Sequence, residues 1–225
     1  MERYAVIVAG GKGARFGGGI PKQFQEIAGE PVLVHTLRAF EEVFESGKLV
    51  LVLAPDDVEF WKKLLEEHPL KNPPSLVLGG TERFRSVKNG LEALPVEKEA
   101  LVAVHDAVRP LIRPERIRVL LSEAEEYGNA IPSVPLRESL RRVEKDGTNE
   151  SVDREAFRAV QTPQCFHLSS LKNAMEQEFD PPPTDEASVM DGQGHPIHLA
   201  EGDPENIKIT EPMDLSFGAA LLQDR

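Results

Sequence analysis

Cysteine is nearly missing from this chain: Cys165 is the only one in 225 residues. No internal disulfide can form, and the usage fits a reducing, cytoplasmic setting. Long apolar runs are also missing. Nothing approaches the about 20 residues needed to cross a bilayer, so no membrane partner is expected. The N-terminus runs straight into a strand-like segment and leaves no room for a secretory signal. Positive charge is scarce, with 26 Lys and Arg against 38 Asp and Glu and a formal net charge of −12. Nucleic acid calls for a basic face, which excludes it as the main partner. Repeats and low-complexity tracts are absent. A protein-held metal is not expected either. His195 and His198 are three apart, but Pro196 and the alternation of Ile197 and Leu199 favour a strand, which points the two rings to opposite faces.

What is present reads as a soluble globular α/β chain, with 40% hydrophobic and 28% charged residues. The length suits a single domain over 1–225. The run Ala5-Val6-Ile7-Val8 is short and β-branched, as in a buried parallel strand. It empties into residues 10–19, which hold six glycines with Lys12 and Arg15. Glycine lets backbone N–H groups approach an anion, and the cations add full charge. Pro21 and Lys22 follow. Two phosphate motifs fail here. The dinucleotide fingerprint would need a small residue where Phe16 stands, and the P-loop would need Ser or Thr where Gly13 stands. A loop of this kind after a buried strand lies where α/β folds bind ligands.

Helical spacing covers 32–43, 56–67, 114–126 and 168–179. Further strands are expected at 49–54, 75–78, 101–104 and 130–134, with a short one at 206–210. Gly79 and Gly80 follow the third strand and lead into a helix through Val87, Leu91 and Leu94, repeating the first strand–turn–helix layout. The fourth strand delivers His105-Asp106-Ala107-Val108-Arg109-Pro110. Asp106 could hold hydroxyls or a magnesium ion directly or through water, and Arg109 offers a fork for phosphate. A plain Asp–Arg pair pinning the turn explains the same residues. Residues 139–158 are charged and β-prone around Asp146-Gly147, a hairpin signal. With little apolar surface the hairpin should project and meet another chain. Before the last helices, Thr184 or Asp185 suits a helix N-cap. Cys165 reads as inert, since no base is assigned to it. These elements predict a three-layer, Rossmann-like, mostly parallel sheet with helices on both faces and a projecting β-hairpin arm.

Six motifs give the chain a resemblance: Ala9-Gly10-Gly11-Lys12-Gly13-Ala14-Arg15-Phe16 with Pro21-Lys22-Gln23; Gly79 to Val87; His105 to Pro110; Thr162-Pro163-Gln164-Cys165-Phe166; Thr184-Asp185-Glu186-Ala187-Ser188; and Asn206-Ile207-Lys208-Ile209-Thr210. The pattern resembles the cytidylyltransferases that make cytidine-diphospho-alcohols, in particular the methylerythritol-phosphate family of non-mevalonate isoprenoid synthesis. The resemblance implies transfer of a cytidylyl group from CTP to a polyol phosphate with magnesium bound mainly through CTP phosphates and water. It implies Arg15, Lys22, Arg154 and Lys208 as catalytic cations. Ala9, Gly10, Gly11, Gly13, Gly80, Thr81, Ser86 and Ala107 would bind the nucleotide. Asp106, Arg109, Ser139, Thr162 and Thr184 would bind the acceptor. Arg83 and Arg85 would face phosphate or make structural pairs. The arm at 139–158 would cross a homodimer, with Ser139 and Arg154 reaching the neighbour's substrate. Ribitol 5-phosphate stands as the alternative acceptor. A catalytically silent nucleotide-binding module is the alternative of another class, and a dehydrogenase is disfavoured by the broken fingerprint.

Overall fold

The computed structural model describes residues 1–9, 19–95 and 99–223. In chain order the strands and α-helices are β1 (Glu2–Val8), β2 (Glu26–Ile27), β3 (Glu30–Pro31), α1 (Val32–Glu41), β4 (Leu49–Leu53), α2 (Val58–Glu67), β5 (Ser75–Leu78), α3 (Arg83–Glu92), β6 (Ala100–Asp106), α4 (Pro114–Tyr127), β7 (Asn129–Pro135), β8 (Leu140–Val143), β9 (Asn149–Val152), β10 (Arg158–Val160), β11 (Gln164–His167), α5 (Leu168–Ala174), α6 (Glu186–Asp191), β12 (Leu199–Glu201) and α7 (Pro212–Gln223). The main sheet runs β10-β7-β11-β6-β1-β4-β5, with β12 beside β7. Its centre, β6-β1-β4-β5, is parallel throughout. β11 enters antiparallel between β6 and β7.

Every residue of β4 and β6 is buried, so β4 and the 100–104 part of β6 read as continuous apolar runs rather than alternations. The two faces still differ. Ala5, Ile7, Leu49 and Leu51 pack with Leu37 and Phe40 of α1, Trp61 of α2 and Leu120 of α4. Val6, Val8, Val50 and Val52 pack with Val87 and Leu91 of α3, Leu171 of α5 and Met190 of α6. Helices on both faces give the three expected layers, with a core on each side of the sheet. The periodic helix at 114–126 is found as α4: its Ile117, Leu120, Leu121 and Ala124 are buried. It stops where Gly128 takes φ 88, a left-handed position that suits glycine.

Chain order along the sheet reverses at β1. β4 and β5 step away on one side, and β6 lies on the other. The switch in strand order therefore falls between β1 and β6, and a crevice opens at the carboxyl ends of these strands. Two expectations change. Residues 206–210 form no ladder. Instead the Ile209 N–H donates to the Val108 carbonyl at 2.8 Å, strapping Lys208 across the end of β6. The 168–179 helix ends at Ala174. The hairpin does form: β8 pairs antiparallel with β9, apart from the main sheet. Its residues are mostly exposed, Val143 at 66%.

Candidate active site

The crevice contains a cavity of about 740 Å³ at the carboxyl ends of β1, β4, β5 and β6. Ala9, Lys22, Gly80, Thr81, Asp106 and Lys208 line it. A smaller cavity of about 180 Å³ adjoins it, lined by Arg109, Thr162 and Thr184 among others. Arg83, Asp106 and Lys208 line both. Gly10, Gly11, Gly13 and Arg15 lie outside the described residues.

Lys22 begins a short 3-10 turn, Lys22–Phe24. The neighbouring Gln23 is 1% exposed. Its Nε2 donates to the Ala9 carbonyl at 3.2 Å and to Asp57 Oδ2 at 2.9 Å. A buried amide satisfied this way costs little to bury and holds one geometry. It ties the turn bearing Lys22 to the end of β1 and the start of α2. Burial raises the Asp57 pKa, and the Gln23 hydrogen bond opposes that rise.

Asp106 is the electrostatic centre. Its Oδ1 accepts from Arg83 Nε at 3.2 Å, and its Oδ2 lies 2.8 Å from Lys208 Nζ and 3.6 Å from Arg109 Nε. Burial pushes this carboxyl up, but Arg83, Lys208 and Arg109 outweigh it and hold it well below the usual carboxylate range. Burial likewise lowers Arg109, against the pull of Asp106. Arg109 Nη1 donates to the Asn206 carbonyl at 2.8 Å, while its buried Nε has no hydrogen-bond partner among the described residues. An unsatisfied guanidinium donor beside a cavity is a ready contact for an anion.

Behind Asp106 stands buried His105. Its Nε2 lies 3.1 Å from the Arg109 carbonyl and its Nδ1 lies 3.0 Å from Thr162 Oγ1. A carbonyl can only accept, which assigns the proton to Nε2 and leaves Nδ1 to accept from the Thr162 hydroxyl. Thr162 Oγ1 also accepts from the Asp106 N–H at 3.1 Å. Burial pushes the His105 pKa down to about 3, although Asp106 pulls the other way. The Thr162 hydroxyl, expected on the acceptor, is thus committed to the protein and positions the end of β6.

Two other expected contacts stand behind the cavity wall. Ser86 Oγ accepts from the Gly80 N–H at 3.1 Å and donates to the Glu82 carbonyl at 3.0 Å, so it shapes the glycine turn. Ala107 is buried, with its N–H on the Val8 carbonyl and its own carbonyl accepting from Thr36 Oγ1 at 2.8 Å. Neither residue lines either cavity. Asp185 is the N-cap of α6, accepting from the Ser188 N–H at 3.1 Å. Thr184 is therefore left facing the small cavity. Ser139 and Arg154 lie exposed at the arm and line neither cavity of their own chain. Arg154 Nη1 instead donates to the Arg137 carbonyl at 2.6 Å.

Of the two arginines after the second glycine turn, Arg83 makes structural pairs and Arg85 is exposed. Sequence reasoning gave no role to Gln23, Gln164, Glu186 or Asn206. Each sits inside a motif it used, but buried partners far along the chain reveal their work. Among the described residues no group of three or more His, Cys, Asp or Glu is placed to hold a metal ion. No helix is long and apolar enough to cross a membrane among those residues.

The profile of the family described as IspD, 2-C-methyl-D-erythritol 4-phosphate cytidylyltransferase, matches residues 4–224. A protein of that name from Bacteroides thetaiotaomicron is 47% identical over 222 residues, covering 99% of this chain and 100% of the relative. The one from Geobacillus kaustophilus is 37% identical, covering 100% and 99%. The crystal structure of 4-diphosphocytidyl-2C-methyl-D-erythritol synthase from Anaerococcus prevotii aligns with a TM-score of 0.84 at 26% identity, over 99% of this chain and 96% of that one. The Thermus thermophilus cytidylyltransferase aligns at 0.76 and 30% identity, over 99% and 100%. Over nearly its whole length, then, this chain belongs to the 2-C-methyl-D-erythritol 4-phosphate cytidylyltransferase family.

Proposed function

We infer that the chain transfers a cytidylyl group from CTP to 2-C-methyl-D-erythritol 4-phosphate, giving 4-diphosphocytidyl-2-C-methyl-D-erythritol and pyrophosphate for isoprenoid precursor synthesis. The observation that carries this reading is the junction of a nucleotide-sized cavity and a smaller one at Asp106, Lys208 and Arg83. A phosphate oxygen of the acceptor attacks the α-phosphorus of CTP in line. One new P–O bond forms, the bond to the β-phosphate oxygen breaks, and pyrophosphate leaves. Such a transfer needs positioning and charge neutralisation more than covalent help.

The cations divide that work. Lys22, with Arg15 in the glycine-rich loop, stabilises negative charge crowding at the α-phosphorus. The backbone N–H groups of Gly10, Gly11 and Gly13 cradle the triphosphate, and Ala9, Gly80 and Thr81 wall the nucleoside. Lys208 and Arg109 hold the acceptor's phosphate, with Thr184 beside it. Asp106 orders Lys208 and Arg109 until the phosphate arrives, then takes acceptor hydroxyls. The donor set fits a magnesium ion carried mainly on triphosphate oxygens and water, since Asp106 is the described carboxylate lining both cavities and is already matched by cations. Bound there, magnesium would neutralise triphosphate charge.

We read 1–225 as one nucleotidyltransferase domain and 139–158 as a dimerisation arm. Ser139 and Arg154 would then act in the partner subunit's site. The exposed hairpin and its separation from the main sheet support this. The lone cysteine supports a cytoplasmic setting. Pyrophosphate release with CTP and magnesium tests the reaction, with methylerythritol 4-phosphate beside ribitol 5-phosphate. Release with the first alone is expected. Release with ribitol 5-phosphate alone would move the assignment to the other polyol.

A further inference from the structure

We propose that Glu186, acting through Arg83, is a positioning residue that keeps Asp106 in place and denies Arg83 to the incoming phosphate. The proposal rests on the acceptor reading above. Arg83 Nη1 and Nη2 donate to the two carboxylate oxygens of Glu186 at 2.6 and 3.0 Å. The Glu186 side chain is 2% exposed. Arg83 Nε reaches Asp106 Oδ1 in the same arrangement. One guanidinium therefore spans two carboxylates, one from β6 and one from α6. Burial disfavours the Arg83 charge, but Glu186 and Asp106 outweigh it and push its pKa further up. Its two-pronged face, the part that grips phosphate, is occupied.

That occupancy decides which cations remain for substrate. Three cations, Arg83, Arg109 and Lys208, meet two carboxylates, Asp106 and Glu186. With Glu186 on Arg83, phosphate is left to Lys208 and Arg109. When Lys208 turns from Asp106 to phosphate, Arg83 Nε remains, among the described residues, the hydrogen bond holding that carboxylate, because Arg109 Nε is 3.6 Å away. Gln164 clamps the same end of α6 independently. Its Nε2 donates to Asp185 Oδ2 at 2.8 Å and its Oε1 accepts from the Ala187 N–H at 2.9 Å. Thr184 and Asp185 thus face the small cavity from a helix end held by β11 and α3.

The test is Glu186→Gln, read by thermal unfolding, separate kcat and KM values, and calorimetric titration with inorganic phosphate. Arg83, released from its charged partner, takes phosphate in place of Lys208 and Arg109. Phosphate then binds about tenfold tighter. Turnover with methylerythritol 4-phosphate falls on the order of 10²-fold while the KM for that acceptor holds or drops. The KM for CTP stays within about threefold. A role confined to stability would leave kcat at wild-type level wherever the variant is folded, and that result overturns the proposal. So does weaker phosphate binding with a raised acceptor KM, which marks a loosened pocket. The pair Arg83→Met with Glu186→Met removes both charges without leaving one buried alone. It is expected to unfold near the wild-type temperature yet stay slow, because Asp106 has lost its hold. Recovery of wild-type kcat in that pair would overturn the proposal. If wild type itself turns over no methylerythritol 4-phosphate, the acceptor reading falls, and the phosphate titration still judges Glu186.

Discussion

Three cations converge on one buried carboxylate, Asp106, and that balance makes single residues testable. Lys208 and Lys22 carry charge assigned to the transition state. Replacing either with alanine is expected to lower kcat by on the order of 10²–10³ with little change in unfolding temperature, as for other preorganised electrostatic groups. Near-full turnover of Lys22→Ala by pyrophosphate assay would remove it from the mechanism. His105 makes a prediction about acid. Its pKa is about 3 when folded and about 6.5 when unfolded. Between those values the unfolded chain binds the extra proton, so unfolding free energy rises with pH by up to about 1.4 kcal/mol per unit. This stabilisation is complete above about 6.5 and is lost as pH falls toward 3. Asp106, held below its usual range, adds a loss of the same sign in the carboxylate range. Urea titrations across that window should show a flatter pH slope in His105→Gln. An unchanged slope would mean another group controls it.

At the scale of elements, the approach of α3 to the sheet sets the cavity wall. A Cβ on Gly90 would lie 2.5 Å from Val6 Cγ1 and 2.8 Å from Val52 Cγ2. Both valines are fully enclosed and have nowhere to go. Gly90→Ala gains about 1 kcal/mol of helix propensity. Overpacking costs typically about 1–3 kcal/mol, so a net loss of stability is expected, seen as a lower urea midpoint. The nucleotide cavity should suffer too, since Arg83 begins the same helix. A midpoint at or above wild type would show that the helix can shift outward. Element boundaries were legible where apolar spacing is strong, as in α4. They were illegible at 206–210, where a short strand was expected but the backbone bonds go to Val108 and the turn at Glu205.

The whole molecule is where the arm matters. Arg154 lines neither cavity of its own chain, and Lys208 lines both. If arms cross a two-fold dimer, Arg154→Ala and Lys208→Ala damage different halves of each composite site. Each variant alone should be nearly inactive. Unfolded together and refolded, they should recover about a quarter of wild-type activity, because each mixed dimer has one intact site. A mixture that stays inactive would place Arg154 in its own chain's site. Light scattering gives the companion measurement, with a dimer expected for wild type and a shift toward monomer when residues 140–152 are replaced by a short glycine-serine linker.

The amino-acid order by itself determined the β1 strand and the glycine-rich segment after it, the helices with clear apolar faces, the hairpin and the family. All of these depend on neighbours within a few residues or on motifs read in place. Tertiary structure alone decided that β11 runs antiparallel between β6 and β7, that the Thr162 hydroxyl turns inward to His105, and that Arg83 pairs with Glu186 and Asp106. These are contacts between residues distant in the chain. Local spacing places a side chain on a face, but the partner across the crevice is set by sheet order and by the need to satisfy each buried charge.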